Sequence, residues 1–232
     1  MRHRPDHPRR RRSPVTALKG PAVPGTTIVT GAHLDGLGAA AAVRLAETGS
    51  DVALICPASA SCTDTMRRLA ALPVRSLAIA ADVTDPDAVA AAVQRVSSSL
   101  GDPGVLVTVV GPAAPGPLCE LSDAAWEASV ERQLRGLFLM TRAVLDPMTR
   151  VGSGRVVTVT DVDGAVRAGL VGFTRTTALE LAPFGVTANL VAPRPGDPGD
   201  PEQVAALIPL LVGRAAAAVS GQVIEVGAGP AS

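Results

Sequence analysis

The sequence contains no tyrosine, and aromatic residues make up only 2% of its 232 residues. The absence of tyrosine excludes any mechanism in which a phenol serves as general acid or base. With few large rings available, the core has to be built from small aliphatic side chains, and hydrophobic residues indeed account for 47% of the chain. Such a composition suits helices packed closely on a buried parallel sheet.

Cysteine is also scarce, with only Cys56, Cys62 and Cys119 present. Their spacing matches no metal-binding motif and their number is odd, so we predict reduced thiols, a cytoplasmic protein and no metal site. No apolar run reaches the length of a membrane span without a glycine, a proline or a charge. We therefore predict no membrane association.

The formal net charge is zero but is unevenly distributed. Residues 1–25 hold seven basic groups and one acidic group, which leaves 14 basic and 20 acidic groups in the rest of the chain. We predict that residues 1–25 form a disordered basic arm and that residues 26–232 form one domain. The acidic body argues against nucleic-acid binding, although the Arg9–Arg12 block could contact phosphates.

The most informative stretch runs from Thr26 to Gly49. A β-branched run leads into Gly31, Gly36 and Gly38, and an alanine-rich helical segment follows. A strand, a glycine turn and a helix N-terminus together present bare N–H groups where a pyrophosphate can bind. The alternative is a turn that needs glycine only for packing.

Farther along, short apolar runs alternate with segments of helical length. Strands are predicted at 26–30, 52–56, 74–80, 105–110, 155–160, 186–191 and 223–226, and helices at 61–72, 86–100, 124–148, 170–181 and 201–212. Asp85 precedes Pro86 and is predicted to cap the helix that begins there. Strand–helix alternation with short links predicts an α/β, Rossmann-type doubly wound parallel sheet of about seven strands with helices on both faces.

The order of these motifs resembles the short-chain dehydrogenase/reductase (SDR) family from Thr26 to Gly229. Thr30-Gly31 and Gly36-Leu37-Gly38 are similar to the family's TGxxxGxG turn, with one additional residue between Gly31 and Gly36. The resemblance implies that the chain binds NAD or NADP. Because Cys56 stands where the family selects between the two cofactors, the sequence indicates no preference.

The resemblance also implies which residues would contact the cofactor. Asp82 and Val83 match the segment that contacts the adenine, Gly111 is the glycine retained from the family's NNAG motif, and His33 is the cation nearest to the turn. The complete implied set is Thr30, Gly31, His33, Gly36, Leu37, Gly38, Asp82, Val83 and Gly111.

The family's catalytic residues are not retained. Gln133, Asp161, Asp163 and Arg167 occupy the positions of the catalytic Asn, Ser, Tyr and Lys. The substrate-covering segment after the sixth strand is shortened to residues 194–200. Asp161, Asp163 and Arg167 could form a substitute acid–base set, or they could be a salt-bridged surface loop.

Two functional hypotheses follow from the resemblance. The first is a catalytically degenerate member of the family that serves as a structural or regulatory subunit. It would form a homo-oligomer, or a hetero-oligomer with an SDR paralogue, through helices 124–148 and 170–181. Trp126 in the first of these helices is predicted to pack in the core or at an interface. The alternative is an NAD(P)-dependent, ketoreductase-like oxidoreductase with a non-standard active site.

Overall fold

The structure is a computed structural model that describes residues 25–34, 36–111, 118–160, 164–193 and 200–227. The predicted basic arm lies outside the described residues except for Gly25. Asp161 and Asp163 also lie outside the described residues. The disordered arm and the substitute acid–base set therefore stay predictions.

Seven parallel strands form one sheet in the order β3-β2-β1-β4-β5-β6-β7. The strands are β1 (Thr26–Thr30), β2 (Val52–Cys56), β3 (Ser76–Ala80), β4 (Pro103–Val110), β5 (Gly154–Thr160), β6 (Val186–Pro193) and β7 (Val223–Val226). This order confirms the predicted doubly wound fold. The strand order reverses at β1 and β4, and a crevice at the carboxyl ends of those strands is where such sheets bind ligands.

The α-helices of the described part are α1 (Leu37–Glu47), α2 (Thr63–Leu69), α3 (Pro86–Leu100), α4 (Asp123–Val130), α5 (Gly136–Val151), α6 (Gly164–Leu181) and α7 (Pro201–Val212). Asp85 accepts hydrogen bonds from the backbone N–H groups of Asp87 and Ala88, which confirms it as the cap of α3. None of the helices in this part of the chain combines the length and apolarity needed to cross a membrane.

The core consists of two main layers because successive strand residues point to opposite faces of the sheet. In β1, Val29 packs in the layer that contains residues of α1 and α7, and its neighbour Ile28 packs in the layer that contains residues of α3 and α5. Both side chains are 0% exposed. Burial on both faces explains why the central strands are continuous aliphatic runs rather than alternating ones.

The helical stretch predicted at 124–148 is present and continuous from residue 123 to residue 151, but it is not α-helical throughout. Residues Glu131–Arg135 form a π-helical segment between α4 and α5. A π-turn closes i→i+5 hydrogen bonds and adds one residue to the turn, and such segments often occur at functional sites. Sequence periodicity alone cannot reveal a one-residue insertion inside an otherwise helical pattern.

The prediction of reduced thiols is wrong for two of the three cysteines. Cys56 and Cys62 are joined by a disulfide, with their Cα atoms 6.7 Å apart, and Cys119 is free and exposed. The pair forms because the chain turns back between β2 and α2, where the Ala60 N–H donates to the Pro57 carbonyl. The five intervening residues are thus closed into a short loop.

Close packing of α1 on the turn after β1 depends on Gly38. A Cβ at this position would lie 2.5 Å from the Gly31 carbonyl oxygen and 2.7 Å from the Ala32 Cα, both of which are backbone atoms. We expect Gly38→Ala to lower the free energy of unfolding by about 1–3 kcal/mol, because the helix must move away from this turn. Urea unfolding followed by circular dichroism measures this change.

Gly172→Ala is the matched control. Gly172 lies inside α6, is exposed, and an added Cβ would meet nothing within 4 Å. There the substitution should raise stability by about 0.4–1 kcal/mol through the lower entropy of the unfolded chain. Equal effects of the two substitutions would contradict the packing role of Gly38.

Candidate functional site

A cavity of about 770 Å³ opens at the carboxyl ends of β1, β2, β3 and β4, and the π-helical segment covers part of it. Of the sequence-predicted site residues, the structure brings together Thr30, Gly31, His33, Asp82, Val83, Gly111 and Gln133 in its wall. Gly36, Leu37 and Gly38 are not in the cavity wall but form the adjoining start of α1. The cavity therefore lies at the crevice that the strand order predicts.

The glycine turn after β1 forms one wall of the cavity. Gly31 has φ +74° and Gly36 has φ +77°, which L side chains rarely adopt. A Cβ on Gly31 would also lie 2.9 Å from the Cβ of Val109 in β4. The additional residue between the two glycines is thus accommodated with both glycines in left-handed conformation.

No side chain caps the N-terminus of α1, where Gly36 occupies the capping position, and its first turn contains no acidic residue. The N-termini of α3, α4 and α7, by contrast, are capped by Asp85, Ser122 and Asp200. Among the described residues, no side chain is recorded as capping the first N–H groups of α1, and an anion at this helix end would be favoured by the helix dipole.

Asp82 shapes the wall of the cavity next to β3. One oxygen of its carboxylate accepts hydrogen bonds from the backbone N–H and the hydroxyl of Thr84, each at 2.8 Å. These hydrogen bonds lower the pKa of Asp82, because they favour the carboxylate. Arg135 in the π-helical segment donates to the Thr84 carbonyl at 3.0 Å and so ties this turn to the opposite wall.

Gln133 reaches the cavity from the π-helical segment. Its side chain is only 4% exposed, and its Nε2 donates to the Gly111 carbonyl at 3.0 Å. The hydrogen bond joins the end of β4 to the helical segment across the cavity. The Gln133 amide nitrogen is therefore bound to backbone, and the catalytic role implied by the resemblance stays a prediction.

Three residues of the cavity wall each hold a buried polar atom that has no hydrogen-bond partner among the described residues: His33 Nδ1, Thr108 Oγ1 and Gln133 Oε1. A buried polar group without a partner costs about 1–3 kcal/mol. Burial lowers the pKa of His33 from its ordinary value of 6.5, so its ring is neutral near pH 7.

Arg167 does not belong to this wall. Its Nη1 donates to the Pro193 carbonyl at 3.0 Å, and its Nη2 pairs with Glu225 at 2.9 Å. The side chain is 13% exposed. These contacts hold α6 against the carboxyl ends of β6 and β7, beyond the crevice.

Sequence reasoning missed two parts of the site. Thr108 was passed over because only Gly111 of its segment matches a known motif, yet Thr108 lines the cavity and its hydroxyl is buried. Pro57, Ala58 and Ser59 after β2 also line it. The sequence could have indicated these residues, because each lies near or directly after the carboxyl end of a predicted strand, which is where doubly wound sheets bind ligands.

Comparison with known proteins agrees with this architecture. The family described as short chain dehydrogenase matches residues 25–199. Cis-4-hydroxycyclohexanecarboxylate dehydrogenase of Sinomonas cyclohexanicum is 35% identical, over 87% of this chain and 94% of that protein. The short-chain dehydrogenase/reductase family member NovK of Streptomyces niveus is 37% identical, over 82% of this chain and 90% of that protein.

Among solved structures, a variant of the actinorhodin polyketide ketoreductase with NADPH superposes with a TM-score of 0.81 at 27% identity. The superposition covers 88% of this chain and 95% of that one. Because the family match spans residues 25–199 and two relatives exceed 30% identity over more than 80% of the chain, the chain belongs to the short-chain dehydrogenase/reductase family.

Proposed function

We propose that this chain binds NAD or NADP in the cavity beside the glycine turn without reducing carbonyl groups by the family's usual route. The observation that carries the binding proposal is the cavity of about 770 Å³ at the carboxyl ends of the central strands, whose wall contains His33, Thr108 and Gln133. Each of these three residues holds a buried polar atom with no hydrogen-bond partner among the described residues. The uncapped N-terminus of α1 beside it suits the pyrophosphate. The residues present therefore fit a dinucleotide.

The chemical part of the proposal rests on what the whole chain lacks. It has no tyrosine, and its single lysine is Lys19. The titratable groups in the described cavity wall are His33, Asp82 and Arg132. Burial lowers the pKa of His33, so its ring is neutral near pH 7. Asp82 is held as a carboxylate by Thr84, and an arginine does not release its proton. None of these is a proton donor of the kind that carbonyl reduction needs.

The names of the relatives favour a second candidate function, an NAD(P)-dependent oxidoreductase. Two of those relatives are named as a dehydrogenase and a ketoreductase. In this chain, Asp161 or Asp163 would have to act as the acid, with Arg167 in support. A carboxylic acid is ionised near pH 7 unless its pKa is strongly raised, which makes it a poor proton donor there.

We further propose that the chain acts as a structural or regulatory subunit, in an oligomer with itself or with a family paralogue. Trp126 in α4 is 41% exposed, Phe138 in α5 is 45% exposed and Leu179 in α6 is 78% exposed. Arg142 lies over the Phe138 ring at 5.0 Å. Exposed aromatic and aliphatic side chains on the predicted association helices support burial against a neighbouring subunit.

Titration of the purified chain with NADH and NADPH, followed by cofactor fluorescence, tests the first proposal. We expect saturable binding to at least one of them. A panel of ketones should then cause no cofactor oxidation above the protein-free background. Failure of both cofactors to bind would contradict the proposal.

Turnover of a ketone would favour the second candidate function, and two variants then identify its origin. Asp161→Asn and Asp163→Asn should each be assayed beside the unchanged protein. Loss of turnover with retained cofactor binding in either variant assigns the acid. Turnover that survives in both would remove the substitute acid–base set as its explanation.

The proposal that the adenosine end of the cofactor binds beside the segment after β2 can be tested by introducing a positive charge there. Ala58 is exposed and lines the cavity directly after β2. The wall residues of this segment, Pro57, Ala58 and Ser59, carry no positive charge. We expect Ala58→Arg to improve NADPH affinity relative to NADH by about tenfold, because an arginine there can pair with the 2′-phosphate. Ala71→Arg adds the same charge at an exposed position outside the cavity and should leave the ratio unchanged.

The exposed side chains Trp126, Phe138 and Leu179 form the proposed association surface, which can be tested with charge substitutions. Phe138→Asp and Leu179→Asp should shift the native mass to a smaller species, since an interface would have to bury the introduced carboxylate. Leu210→Asp in α7 is the control, because Leu210 is 65% exposed on the opposite face of the sheet. Trp126 is the only tryptophan in the chain, so its emission reports on the same surface. Identical masses for all variants and the unchanged chain would contradict this surface.

A further inference from the structure

A cluster of three potential metal ligands lies at the edge of the cavity and includes one residue of its wall, His33. His33, Cys56 and Cys62 each offer one ligand atom, and the three atoms lie within 4.8 Å of one another. Cys56 is 5% exposed and Cys62 is 8% exposed. His33 is the only histidine after residue 7, and its buried Nδ1 has no partner in the described structure.

Each of the three residues belongs to a separate and firmly held backbone segment. His33 lies in the turn after β1, which is closed by a hydrogen bond of 2.9 Å from the Leu34 N–H to the Gly31 carbonyl. Cys56 ends β2, and its carbonyl accepts from the Ala81 N–H at 2.9 Å. The Cys62 carbonyl accepts from the Met66 N–H at 2.9 Å, at the start of α2.

The positions are thus set by the fold and do not depend on the disulfide alone. Around an ion in tetrahedral geometry, with bonds of about 2.3 Å to sulfur and about 2.0 Å to nitrogen, neighbouring ligand atoms lie roughly 3.5–3.8 Å apart. After reduction of the disulfide, the two sulfur atoms have to separate from bonding distance to that spacing, by rotation about the side-chain bonds of Cys56 and Cys62.

We propose that His33 and the reduced thiols of Cys56 and Cys62 form a three-ligand site for a thiolate-preferring divalent ion of the Zn²⁺ class. Two thiolates, a neutral imidazole and a divalent ion sum to zero charge. A neutral cluster suits this location, because both cysteines pack in the apolar layer that contains Val29 and Ala32. Water can take the fourth position from the side of the exposed loop residues.

Metal binding and the disulfide exclude each other, since both need the same two sulfur atoms. Two molecules of a low-molecular-weight thiol reduce the disulfide, which leaves two cysteine thiols and one disulfide of the reductant. Binding of the divalent ion then displaces two protons from the cysteines. The oxidised protein carries no metal at this position, and the reduced protein carries one ion.

Cobalt(II) and zinc(II) titrations of the full chain test the proposal. The protein is reduced, the reductant is removed without oxygen, and Co²⁺ is added while thiolate-to-metal charge-transfer absorption is recorded. Zn²⁺ affinity is measured by competition with a chromophoric chelator. We expect one ion per chain in the reduced protein, displacement of Co²⁺ by Zn²⁺, and no charge-transfer band in the oxidised protein.

Three variants locate the ion. Cys62→Ser and His33→Ala should each weaken Zn²⁺ affinity. Loss of a residue that only supports the metal ligands weakens affinity by up to about 100-fold. Because Cys62 is proposed as a ligand itself, Cys62→Ser should weaken affinity by at least that factor. Cys119→Ser removes the free, exposed thiol and should leave the affinity unchanged. Far-ultraviolet circular dichroism confirms that each variant is folded before its affinity is compared.

No charge-transfer band in the reduced protein would overturn the proposal. So would unchanged affinity in Cys62→Ser, or loss of affinity in Cys119→Ser. Because these measurements use no nucleotide, they give the same answer whether or not the cavity binds NAD or NADP.

Discussion

The rest of the structure depends on the close contact between the glycine turn after β1 and the end of β4. Gly31 approaches Val109 so closely that a Cβ would lie 2.9 Å from the valine Cβ. This contact fixes where the turn ends and where α1 begins. The strands β1 and β4 are neighbours in the sheet but are far apart in the chain. The cavity lies at their carboxyl ends, and Gly31 and Val109 both line it.

Much of the fold could be predicted because its signals are local. The apolar runs that become β1, β2 and β7, the proline and aspartate that begin α3, and the glycines of the first turn each act on their own neighbours in sequence. In such cases hydrophobic pattern and capping chemistry agree with the tertiary structure, which is the condition under which sequence reasoning succeeds.

The site was less predictable because its parts come from distant segments. The orientation of Gln133 depends on a π-turn, and a single added residue leaves no mark on helical periodicity. The pairing of Cys56 with Cys62 and the proximity of His33 depend on how β2, α2 and the first turn meet in space. Arg167 was placed by resemblance, whereas its contacts with Pro193 and Glu225 follow from the positions of β6 and β7.

The π-helical segment has a mechanical consequence. It joins the buried amide of Gln133 to the exposed ring of Phe138, which lies five residues farther along the same continuous helical stretch. At about 1.5 Å per residue, the two side chains are separated by roughly 7 Å along the axis. If this helical stretch moves as a rigid body, a small displacement at the Gly111 carbonyl produces a displacement of similar size on the outer surface. For the dinucleotide-binding subunit proposed above, this stretch would connect the cavity wall to the surface proposed to meet a neighbouring molecule.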